Sequence, residues 1–179
     1  AIQKWLIENT RLGIPAMIHE ECCSGYMARD ATCFPQIIGV ASTWEPELVE
    51  ALAEVVRVQM RAAGAHQGLS PVLDVARDPR WGRGQETYGE DVHHLSRMGV
   101  AAVRGIQEYV LANPKHYAVN SIEDTRFQVN VTVDDRTLRE IYLAHFRATV
   151  EEGEAAFYGP KVYGTVKPKT NWSHLPRFS

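Results

Sequence analysis

The chain has 179 residues, of which 45% are hydrophobic and 23% charged, with a net charge of −3. That length suits one domain and that composition is ordinary for a globular fold. Dispersed basic residues give no electrostatic footprint for nucleic acid, and no apolar run approaches the ~20 residues of a membrane span.

The first segment, residues 3–10, reads as a short helix broken by Gly13. Ile14 to Ile18 is an apolar run of strand length, followed at once by His19, Glu20 and Glu21. Pro46 suits the first turn of a helix, in which Leu48, Leu52, Val55, Val56 and Met60 recur at helical spacing up to a stop at Gly64. "GLSPVLDV" (68–75) is the next strand candidate, and a helix from about Glu90 to Gln107 follows. "YVLANPKHYAV" (109–119) reads as a third strand ending in Lys115 and His116, and "VNVTV" (129–133) as a short fourth. Asp134 or Asp135 then caps a helix with Leu138, Ile141, Tyr142, Phe146 and Val150 on one face. Strands alternating with helices predict an α/β fold of parallel βα units. From 156 to 179 the period is lost, which predicts an irregular tail after a domain spanning 1–155.

Three of these strands end in charged groups: Glu20 and Glu21, the run from Arg77 to Arg83, and Lys115 with His116. In a parallel α/β barrel such ends converge on one mouth, so a shared site is expected there. The loop "DVARDPRWGRGQETYGED" (74–91) mixes arginines, carboxylates and glycines with Trp81 and Tyr88, as a polyol site requires. Glu20 or Glu21 offers acceptors for sugar hydroxyls, Arg83, Lys115 and His116 offer donors, and Trp81 offers a flat apolar face. Arg77, Asp78 and Arg80 read better as a brace for the loop, and Trp81 fits a core anchor as well as a platform. His93, His94 and His145 lie on helices and read as surface or packing residues.

Other chemistries fit poorly. Cys23 stands where H-E-x-x-H needs its second histidine after His19, and Gly82, Gly84 and Gly89 match neither G-x-G-x-x-G nor a P-loop. No G-x-S-x-G occurs. Cys22, Cys23 and Cys33 form an odd set without C-x-x-C, which argues against a disulfide framework and favours a reducing compartment such as the cytoplasm. A start at Ala1 leaves room for a removed leader. No metal or organic cofactor is expected.

Three collinear stretches carry a family resemblance: "RLGIPAMIHEECCSGYMARDATCFPQIIGVASTWEPELVE", "GLSPVLDVARDPRWGRGQETYGED" and "PKHYAVNSIEDTRFQVNVTVDDRTLREIYLAHF". R-D-P-R-W-G-R followed by K-H-[FY] resembles glycoside hydrolase family 3, a family of exo-acting β-glucosidases and β-xylosidases. The resemblance implies a (β/α)₈ barrel, here partial and incomplete at both ends, and a retaining mechanism on terminal non-reducing β-linked sugars. It implies that Glu21, Arg83, Lys115 and His116 hold sugar hydroxyls in the innermost subsite, with Arg126 of "EDTR" at its border. Glu21 falls where many members carry Asp, so its acid reaches one methylene further.

Retaining hydrolysis needs two carboxylates about 5–5.5 Å apart. The S-D-W or S-D-Y element that carries the family's nucleophile does not occur in this sequence, and the acid/base segment has no counterpart either. Two readings follow. One is a β-glycosidase of small oligosaccharides or glucosides, in which Glu21, Glu123 or Asp124 would have to serve as catalytic carboxylate. The other is an inactive fragment that keeps part of a sugar subsite. About 150 family-like residues supply roughly half of a ~250-residue barrel, so self-association through open sheet edges is expected.

Overall fold

The computed structural model describes residues 1–156, so nearly all of the expected tail lies outside the described residues. The architecture is α/β. Strands β1 (His19–Glu20), β2 (Gln67–Gly68) and β3 (Leu111–Ala112) form a parallel sheet in the order β1-β2-β3. Around it stand α1 (Ile2–Asn9), α2 (Ile37–Ala41), α3 (Pro46–Ala63), α4 (Val92–Ile106), the single turn α5 (Asp135–Thr137) and α6 (Ala144–Glu151).

The sheet is shorter than the sequence suggests. Ile14 to Ile18 does not form a strand, because the Gln3 side chain takes both backbone groups of Ala16. Its amide donates to the Ala16 carbonyl at 2.7 Å and its oxygen accepts from the Ala16 N–H at 2.8 Å. Pairing begins only at the Ile18 carbonyl, which accepts from the N–H groups of His66 and Gln67. Beyond β2, Pro71 has no N–H to give the ladder, but the Ser70 and Pro71 carbonyls accept from the N–H groups of Asn113 and Lys115, and parallel bridges join Val72 to Thr87 and to Lys115. Residues 129–133 are not a strand either. The N–H of Val129 turns back to the Thr125 carbonyl at 2.8 Å.

Helix α3 starts and stops where expected, with Pro46 in its first turn and Gly64 past its end at φ 85°. The left-handed value favours glycine there, and its N–H returns to the Arg61 and Met60 carbonyls. The buried stripe is Val49, Ala53, Val56 and Met60. The expected stripe through Leu48 and Val55 is thus rotated by about one position, and those two side chains face solvent. Helix α4 is capped by Asp91, whose carboxylate accepts the His94 N–H at 2.7 Å. It is buried nearly all round, since α3, α6 and the sheet each cover a side. At Gly105 an added Cβ would lie 2.5 Å from the Glu50 carbonyl oxygen and 2.6 Å from the Ala53 Cβ, so α3 and α4 cross backbone to backbone.

The last helix is not continuous. Asp134 caps it by accepting the Thr137 N–H at 2.9 Å, but Leu138–Tyr142 forms a π turn before α6 begins. The extra residue of that turn rotates α6. His145, Phe146, Ala148 and Thr149 therefore become its buried face, while Val150 is only half-buried. One apolar cluster joins Leu73, Tyr88, Leu95, Met98 and Phe146, and a second joins Cys22, Val56, Met60, Val103 and Val110. Together they fasten the helical layer to β2 and its extension, which fixes where the strand ends point.

Candidate active site

Parallel pairing places the C-terminal ends of all three strands on one side of the sheet, and charged residues gather there. Glu21 directly follows β1. Lys115 lies beyond β3, where its N–H donates to the Pro71 carbonyl and its own carbonyl accepts from the Leu73 N–H. This backbone clamp aims the Lys115 ammonium at Glu21, with Nζ 2.8 Å from Oε2 and 3.1 Å from Oε1. The Lys115 side chain is 8% exposed and that of Glu21 is 54% exposed, so the pair opens to solvent from the acid's side.

The loop after β2 is held close to the strand ends. Thr87 Oγ1 donates to the Asp74 carbonyl at 2.6 Å, and the Ala76 N–H donates to the Gly89 carbonyl at 3.0 Å. Between these pins run two 3-10 turns, Pro79–Trp81 and Gly84–Glu86. Asp78 caps the first and also pairs with Arg80 at 2.6 Å on the exposed surface, so both side chains are spent within the turn. Trp81 is buried at 4% exposure with its ring against the protein, and its indole N–H has no partner among the described residues.

Arg83 begins the second turn and is the hub of the cluster. Its Nε and Nη2 form a fork on Glu86 at 2.8 and 2.6 Å. Its Nη1 reaches His116 Nε2 at 3.2 Å and Glu123 Oε1 at 3.4 Å. Glu123 also accepts from Asn120 at 2.9 Å and from Arg126 at 2.6 Å. His116 turns inward, with Nδ1 2.7 Å from Asp74 Oδ2, and the peptide bond between Lys115 and His116 is cis.

Protonation follows from these partners. Hydrogen bonding to Glu86 holds the Arg83 guanidinium above its ordinary value. Burial would raise Glu86, but the Arg83 hydrogen bond and the charges of Arg83 and Lys115 outweigh it and hold the acid low. Glu123 is likewise held low: burial opposes ionisation, and Asn120, Arg83 and Arg126 overcome it. Burial pushes Asp74 up, against the hydrogen bonds from His116. Cys23, whose Sγ lies 3.9 Å from Glu21 Oε2, is pushed up to about 11 by burial and so stays a thiol at neutral pH.

The predicted residues Glu21, Arg83, Lys115 and His116 therefore meet at one mouth, with Arg126 joined through Glu123. Asp124 is exposed. Of the three histidines placed on helices, His93 is exposed, His94 meets the Ala41 carbonyl at 3.0 Å, and His145 is buried beside Phe146. Sequence reasoning did not single out Asp74, Glu86 or Asn120. The signal for Asp74 was an acid inside an apolar strand run. For Glu86 and Asn120 it was a spacing of three residues from Arg83 and Glu123. Among the described residues, no set of three or more His, Cys, Asp and Glu side chains is arranged to hold a metal ion.

This arrangement can grip a polyol. The Lys115 ammonium and the Arg83 guanidinium stand beside carboxylates beyond the strand ends, with the buried His116 imidazole behind the guanidinium. Comparison with known proteins gives that mouth a lineage. The model for the glycosyl hydrolase family 3 N terminal domain matches residues 1–158. The chain belongs to glycosyl hydrolase family 3. It is 40% identical over 162 residues to a beta-xylosidase of Formosa agariphila, covering 80% of this chain and 22% of that protein. To a beta-glucosidase of Kluyveromyces marxianus it is 33% identical, covering 92% of this chain and 20% of that one. Among solved structures, the beta-glucosidase of Listeria innocua in complex with glucose superposes with a TM-score of 0.82 at 30% identity, covering 92% of this chain and 24% of that one. A beta-glucosidase involved in saponin metabolism from intestinal bacteria gives a TM-score of 0.82 at 33% identity, over 92% of this chain and 23% of that one. This family 3 chain thus spans about a fifth of the length of the curated relatives it matches.

Proposed function

We propose that Glu21, Arg83, Lys115 and His116 form the hydroxyl-gripping half of the innermost sugar subsite of a retaining, exo-acting β-glycosidase of the β-glucosidase or β-xylosidase type. Arg126 borders the subsite through Glu123. One observation carries this reading: residues up to 95 positions apart in sequence form two neighbouring hydrogen-bonded groups, Glu21 with Lys115 and Arg83 with His116, beyond the C-terminal ends of a parallel sheet. Names of the relatives, and glucose in the complex of one neighbour, support a β-linked glucoside or xyloside as the substrate class.

The carboxylates of the cluster act as anchors in this reading. Glu86 and Glu123 are each bound to a guanidinium, and Glu21 to an ammonium. A nucleophile must be free to bond carbon, so Glu123 and Glu21 serve better as holders than as attackers. We therefore place the two carboxylates of the double displacement outside this cluster. The competing reading, a chain that binds sugar without cutting it, is favoured by the lack of any S-D-W or S-D-Y element in these 179 residues.

Release of nitrophenol from aryl β-glucoside and aryl β-xyloside separates the readings, with an Arg83→Ala/Lys115→Ala preparation as the control for contaminating glycosidases. Turnover that disappears in the variant supports a working active site. Equal turnover in both, together with glucose or xylose binding that only the parent shows, supports the binding-only chain. Equal sugar binding by parent and variant would remove the site assignment altogether.

A further inference from the structure

We infer that Asp74 is a positioning residue that fixes the tautomer of His116, so that Nε2 holds the Arg83 guanidinium with its lone pair and keeps Arg83 aimed at the sugar subsite. The inference deepens the sugar-subsite reading and rests on it for its consequence, though not for its geometry.

The hydrogen positions follow from the partners alone. A guanidinium has only donors. Arg83 Nη1 sits 3.2 Å from His116 Nε2, so that ring nitrogen has to present its lone pair. In a neutral imidazole the proton then resides on Nδ1. The group facing Nδ1 is Asp74 Oδ2 at 2.7 Å, the acceptor that this tautomer needs. The same oxygen accepts the backbone N–H of His116 at 3.1 Å, so one carboxylate oxygen fixes both the ring and its main chain. Both side chains are 3% exposed, which keeps water from competing. Asp74 is in turn tied down by Thr87, whose hydroxyl donates to its carbonyl. Asn120 Nδ2 approaches Nδ1 at 3.4 Å, but two donors face each other there, and the amide hydrogen goes to Glu123 at 2.9 Å instead.

The consequence is a direction of hydrogen bonding. With its one lone pair on Arg83, His116 Nε2 holds the guanidinium in place, and a sugar hydroxyl in the subsite meets Arg83 or Lys115 with its oxygen as acceptor. Reversing the tautomer would aim an N–H at the Arg83 guanidinium and destroy this polarity. A buried acid that orients a histidine in this way acts through that histidine and never touches the sugar.

The test is long-range ¹⁵N–¹H correlation spectroscopy of the full chain at neutral pH, with His116 assigned by comparison with His116→Gln. The wild type is expected to show the Nδ1–H tautomer, with a downfield ring N–H proton from the charge-assisted bond. Asp74→Ala is expected to move the proton to Nε2 and to weaken glucose binding about tenfold. Asp74→Asn keeps an acceptor oxygen, so it should retain the Nδ1–H tautomer, move the N–H proton upfield, and bind within about twofold of the wild type. An Nε2–H or doubly protonated His116 in the wild type would overturn the inference, as would an Asp74→Ala chain that keeps the proton on Nδ1. If Asp74→Ala does not fold, the wild-type tautomer and the upfield shift in Asp74→Asn still decide it. If the tautomers behave as expected while neither parent nor variants bind glucose, the sugar-subsite reading falls and the positioning role of Asp74 stands.

Discussion

The strand-end mouth and the N-terminal helix satisfy opposite needs. At the mouth, groups that would be costly to bury alone are matched one to another: Arg83 with Glu86 and Glu123, Lys115 with Glu21, and His116 with Asp74. At the N-terminus, Ile2, Trp5, Leu12 and Ile14 are each more than half exposed, and α1 buries none of its residues. Water covers apolar groups where protein would serve better, and protein covers charges where water would serve well. The charged groups at the strand ends thus find partners within the described residues, while the apolar side chains of the N-terminal segment stand open. Local order at a site and stability of the whole are separate properties.

The largest effect on that contrast should come from Arg83→Ala. It strands the mostly shielded Glu86, leaves Glu123 to Asn120 and Arg126, and is expected to lower stability by about 3 kcal/mol, read as a fall in denaturation midpoint, and to abolish sugar binding. A change within experimental error would mean that the cluster is solvated and not built. Lys115→Ala comes next. Its partner Glu21 can turn to water, so about 1 kcal/mol of stability is expected to go, while sugar affinity drops more than tenfold.

Acid titration should expose the same network. Glu86 and Glu123 are held below their ordinary value near 4.5, so the stability they lend is full above that pH and is lost as pH falls through their lower folded values. Asp74, raised by burial, contributes in the opposite sense and offsets part of the slope. Urea midpoints measured below pH 4.5 should therefore fall less steeply in Glu86→Gln than in the parent. The smallest effect on folding should come from Trp5→Ser, within about 0.5 kcal/mol, because Trp5 is 59% exposed. Its expected signature is weaker concentration-dependent association by light scattering. A parent chain that is monomeric at every concentration would show that the exposed apolar surface does not drive self-association.

Much of this was legible in the sequence. Pro46 and Gly64 mark the ends of α3, and the three charged strand ends anticipate the mouth. What was hidden depended on single side chains acting at a distance. Gln3 takes the backbone groups that would have made 14–18 a strand, and periodicity cannot register such a capture. Leu48 and Val55 fit a helical stripe as well as Val49 and Ala53 do. Only the position of α4 decides which stripe is covered. Asp74 escaped notice because acids are expected in loops, and its value lies in being buried next to one imidazole.

The bare crossing at Gly105 bears on how this chain can move. With the Glu50 carbonyl lying where a side chain would begin, α4 cannot slide along α3 without riding over a peptide group. The two long helices are keyed like a dovetail joint, so the distance between the strand ends they support is set by main-chain contact. Whatever adjusts around a ligand has to be the loops on top, and the joint beneath them keeps time for none of it.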